Sequence, residues 1–84
     1  MSVRDLLKFL LGELKRALVR SDVARISDIA TTVEVLNEFS TENNDETAVK
    51  ILKDFDYIVL HYDEEPQYVD NYLERIGRAL EDVT

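Results

Sequence analysis

The segment "IVLHYDEEPQYVDNY", residues 58–72, gathers the chain's one histidine, its one proline, three of its four tyrosines and three consecutive acids. His61 carries the side chain best suited to moving protons near neutrality, since an unperturbed imidazole titrates at about 6.5. General base catalysis would require an orienting acid and a nucleophile beside it. The nearest acids, Asp63 and Glu64, follow it in a polar turn, and there is no second histidine and no cysteine. Helix ends offer His61 a simpler task, because a cationic side chain in a last turn meets unpaired carbonyls and the negative end of the helix dipole. The sequence therefore assigns it a capping role and predicts no catalytic residue.

Other chemistries fail on spacing. In "DFDYIVLHYDEE", Asp54, Asp56 and Glu65 fall at positions one, three and twelve of a calcium loop, but Ile58 stands at position five and Val59 where the turn demands glycine. No metal site and no cofactor is expected. Gly12 and Gly77 are isolated within helical pattern, so no glycine-rich phosphate loop exists. Gly77 is expected to permit close helix approach. Ser27, in "RISDIA", lacks the "DSL" context in which acyl carrier proteins accept their phosphopantetheine arm. The segment "YIVLHYD" resembles the histidine-tyrosine end of the helical ribonuclease family known as HEPN, through His61 and Tyr62. That resemblance implies a ribonuclease-like enzyme using His61. The family's arginine, five to seven positions earlier, is replaced here by Asp54, Phe55 and Asp56, which leaves nothing to stabilise phosphoryl charge.

The elements that hold these residues follow from apolar periodicity. Four segments repeat apolar residues at intervals of three and four, predicting an all-α, small antiparallel four-helix bundle over about 2–20, 22–39, 45–62 and 64–83. In the first, Ser2 with Asp5 forms a capping-box pattern, and Val3, Leu6, Leu7, Leu10, Leu14, Ala17 and Leu18 share a face. In the second, Val23, Ile26, Ile29, Ala30, Val33, Leu36 and Phe39 are expected inward. "STENNDE", residues 40–46, is expected to be a loop. The third helix carries Ala48, Ile51, Leu52, Phe55, Ile58 and Val59 inward. Pro66 lacks an amide hydrogen, so a fourth helix must begin around it, with Asp63, Glu64 and Glu65 at its positive end. Val69, Tyr72, Leu73, Ile76, Leu80 and Val83 form its inner face.

Eighty-four residues support one core, and with no cysteine that core rests on packing alone. No apolar run approaches the roughly 20 residues that span a bilayer, and the N-terminal segment lacks a signal-peptide cleavage pattern, so a cytoplasmic protein without a membrane span is expected. The formal charge of −8 is uneven. Residues 1–25 hold six bases against three acids, a balance of +3, and the remainder holds four against fifteen, a balance of −11. The basic stretch forms no recognisable helix-turn-helix and the domain's net charge is negative, which argues against nucleic-acid binding.

Two helices are more apolar than a lone bundle needs. Ten of seventeen residues from Val3 to Val19 and ten of fifteen from Ala48 to Tyr62 are apolar, and a core-facing stripe requires about a third of the circumference. Phe9 and Leu11, and likewise Tyr57 and Leu60, are read as lying off the stripe. With Tyr62, Tyr68 and Tyr72 they are the candidate partner-binding residues. Burying such an excess is most economical in a twofold homodimer, which makes a non-enzymatic interaction or regulatory module the leading expectation. An acidic inhibitor of the immunity or antitoxin type, blocking a basic site on a partner, is the alternative.

Overall fold

A computed structural model of the chain describes residues 2–82, and within them helices α1 (Val3–Arg20), α2 (Val23–Glu42), α3 (Glu46–His61) and α4 (Val69–Asp82) are joined by short connections. Each helix contacts its sequence neighbours, and α1 also contacts α4, closing an all-α four-helix bundle. The local chemistry explains the starts of α1, α2 and α3. Ser2 Oγ accepts from the Asp5 amide at 3.2 Å, Asp22 Oδ1 from Arg25 at 3.1 Å and Asp45 Oδ1 from Ala48 at 3.1 Å, each satisfying an otherwise orphaned donor. Ser21 ends α1 in the left-handed region (φ 53°). Asn44 (φ 57°) makes the reversal between α2 and α3.

Phe55, Leu14, Ile58 and Ile76 have no exposed surface and form the centre, with Leu7, Leu52, Ile29, Val33 and Leu80 around them. This cluster draws side chains from all four helices.

Several boundaries and faces differ from the pattern. Helix α2 runs to Glu42, three residues beyond Phe39, because Thr41 Oγ1 donates back to the Asn37 carbonyl and the Asn43 side chain caps that of Phe39. The loop therefore shrinks. Phe39 and Val23 face outward, against the expectation that both are core. Two successive steps of three after Val33 fall behind the 3.6-residue turn, so the inward azimuth near that end belongs to Ser40, which is buried. Leu11 is a core residue at 9% exposure, not a surface one. It stands two turns after Arg4, whose Nε donates to the Leu80 carbonyl at 3.1 Å, and that edge of α1 is the one α4 covers.

The entry to α4 is also different. Pro66–Tyr68 form a single 3₁₀ turn and the α-helix begins at Val69; Glu65 occupies the cap position without a side-chain capping bond. Gly77 has open space where a Cβ would stand, so it mediates no close helix approach. Val83 lies outside the described residues.

Candidate interaction surface

The chemistry-bearing residues converge where α3 ends and α4 begins. Tyr57 sits one turn before His61, and their rings lie 4.8 Å apart between centroids. The Tyr57 ring also stacks on Tyr72 of α4 at 4.1 Å and 17°. The Arg75 guanidinium lies 5.0 Å above the Tyr72 ring, within cation–π range, and its Nη2 pairs with Asp54 Oδ1 at 3.3 Å. Tyr57 donates its hydroxyl hydrogen to Glu65, which explains why that carboxylate does not cap the following turn. The accepting Glu65 carboxylate, helped by burial and by its negative charge, pushes the Tyr57 hydroxyl up to about 12. Tyr57 is thus a poorer acid than an ordinary tyrosine.

His61 Nδ1 is 3.7 Å from Glu64 Oε2, beyond hydrogen-bond range, so an ion pair there requires a protonated imidazole. Asp54 shows the reverse of the usual ion-paired shift. Burial raises its carboxyl above the ordinary range, and the Arg75 charge only partly offsets this. Among the described residues no group of three or more His, Asp or Glu could hold a metal ion. The arrangement is an aromatic seam clasped by two polar contacts, and it welds α3 to α4.

Of the expected contact residues, Tyr57, Tyr62 and Tyr72 are half-buried, the last two packed against the core. Leu60 at 62% and Tyr68 at 46% are exposed near this end of the bundle. Leu11 is unavailable.

A second surface lies between α1 and α2. Glu13 accepts from Arg16 Nη2 at 2.7 Å and pairs across the helices with Arg25 at 3.1 Å. These two cations hold its carboxyl below the usual range. The pair marks the facing edges: Leu6 and Phe9 precede Glu13 at helical spacing on α1, and Asp28, Thr32, Val35 and Phe39 follow Arg25 on α2. Phe9, Val35 and Phe39 are 54%, 61% and 51% exposed. Val35 and Phe39 escaped the sequence reading, Phe39 because its spacing placed it in the core. Their four-residue separation on a helix whose inner face is already complete was the available signal.

The chain matches no known protein family, characterised protein or solved structure. Among the described residues no helix is long and apolar enough to cross a membrane.

Proposed function

We propose that this chain is a non-enzymatic interaction module that works as a homodimer, using the apolar edge shared by α1 and α2. The observation that supports this is the exposure of three large apolar side chains on two neighbouring helices, Phe9 on the Glu13 side of α1 and Val35 and Phe39 on the Arg25 side of α2, each more than half exposed and here read together as one apolar seam. Isolated apolar side chains are ordinary on a protein surface, but a run of them along one seam is the usual mark of a contact face. The α3–α4 cluster supports the non-enzymatic part. Tyr57 is a poorer acid than an ordinary tyrosine, and the Arg75 charge is engaged by Asp54. Sedimentation velocity across micromolar to millimolar concentration, with binding of a hydrophobic dye, tests the reading. A strict monomer that leaves the dye dark at every concentration would refute it.

A second reading, an acidic inhibitor, is favoured by one feature. Asp63, Glu64 and Asp70 stand exposed around the α3–α4 turn, with His61 Nδ1 3.7 Å from Glu64. An electrostatic blocker associates more slowly as salt rises, whereas an apolar seam does not, so the ionic-strength dependence of partner association separates the two.

A further inference from the structure

The charges beside the seam identify its occupant. Helix α1 carries five bases against two acids, a balance of +3, and α2 carries one base against four acids, a balance of −3. Helical spacing places Lys8, Arg16 and Arg20 around Phe9 on the outer side of α1. It places Asp28, Glu38 and Glu42 around Val35 and Phe39 on α2. All six are exposed, and among the described residues only Arg16 is engaged, by Glu13. One face thus offers an apolar seam with a cationic bank on one side and an anionic bank of equal charge on the other.

We infer that this face is self-complementary and docks a second copy of the chain, α1 of each protomer lying on α2 of the other about a twofold axis. In an isologous interface every contact occurs twice, so Lys8, Arg16 and Arg20 of each protomer meet Asp28, Glu38 and Glu42 of the other while the two seams bury each other. The dimensions suffice. Helices of 18 and 20 residues are about 27 and 30 Å long at 1.5 Å per residue. A standard interface takes about 800 Å² from each partner. That is roughly one seventh of the 5583 Å² surface, which the outer sides of two of four helices can supply. The inference rests on the homodimer reading and adds which surface and what orientation.

Charge exchange tests it. One variant combines Lys8→Glu with Arg20→Glu, making both banks acidic; the other combines Glu38→Lys with Glu42→Lys, making both basic. Far-UV circular dichroism establishes that each is folded, which surface exchanges between good helix formers should preserve. Each variant alone is expected to dimerise at least roughly tenfold more weakly than the natural chain, since like charges face each other in both contacts. An equimolar mixture of the two is expected to recover dimers, because both contacts in the mixed pair are again opposite in sign. Full-strength dimers from each variant alone, or no recovery on mixing, would overturn this orientation. If those dimers were instead lost on combining Leu60→Glu with Tyr68→Ser, the chain would still be a homodimer, through its α3–α4 end. A natural chain that never dimerises defeats both readings.

Discussion

Tyr57 lies against Tyr72 with ring centroids 4.1 Å apart and planes 17° from parallel, and this stack joins α3 to α4 beside the Asp54–Arg75 ion pair. Tyr57 arises on α3 from a position pointing away from the main apolar stripe. It stays half-buried because Tyr72 and Glu65 come from the following segment to meet it.

That environment predicts an unusual titration. Tyr57 should ionise near 12 in the ultraviolet phenolate difference spectrum, about two units above an ordinary tyrosine. Glu65→Gln removes the largest cause and should bring it back toward 10. A folded-state value raised above the unfolded one favours the protonated form in the fold. The resulting stability is complete below pH 10 and is lost as pH rises toward 12. Chemical denaturation at pH 9 and pH 11 should show the loss in the natural chain and a smaller one in Glu65→Gln. Four indistinguishable tyrosines would contradict the bond.

Asp54 gives a prediction that runs against its ion pair with Arg75. Its folded value is raised, with burial as the larger cause, so its contribution is fully favourable below the unfolded value of 3.8 and is lost as pH rises through the folded one. The ionised carboxylate at neutral pH is therefore a net cost. Asp54→Asn should leave stability unchanged or raise it at pH 7, with the gain shrinking below pH 4. A loss at pH 7 larger than a surface pair contributes, about 1 kcal/mol, would show that the Arg75 bridge outweighs burial.

Gly77 offers a direct gain. It lies in the interior of α4, where glycine is less favourable than alanine by about 0.5–1 kcal/mol, and a Cβ there meets nothing within 4 Å. Gly77→Ala should raise the melting temperature by roughly 2–8 °C for a domain of this size. An unchanged or lower midpoint would mean that some unrecognised approach at this position requires glycine.

Much of the architecture is legible in the sequence. Ser2, Asp22 and Asp45 announce the three helix starts they cap, because the capping bond is local and its donors lie within three residues. Faces are read less well. A stripe's centre follows from periodicity, but its width depends on how many neighbours a helix has, which is a tertiary fact. Leu11 is buried because α1 is covered by α4 as well as α2. Phe39 is exposed because two successive steps of three after Val33 carry it off the inner face, where Ser40 takes the inward place. Glu65 illustrates a third limit. Its acidity predicts a helix cap, but a tyrosine eight residues earlier claims the carboxylate, a choice between two partners that spacing alone cannot rank.

The contrast between Phe9 and Leu11 converts that lesson into a measurement. Both are large apolar residues of α1, two positions apart, and composition treats them alike. In the fold Leu11 is enclosed between α1 and α4 while Phe9 stands 54% exposed on the opposite side. Leu11→Ala removes buried methyl groups and leaves a cavity, so it should cost about 2–5 kcal/mol by urea denaturation. Phe9→Ala, measured where the chain is monomeric, should stay within about 0.5 kcal/mol of the natural protein. The order should invert for self-association. Phe9→Ala removes an anchor from the seam and weakens the dimer, whereas any Leu11→Ala protein that remains folded keeps the seam intact. Equal stability losses at the two positions would mean that α1 is rotated about its axis from the orientation described, and the seam of Phe9, Val35 and Phe39 would then not exist.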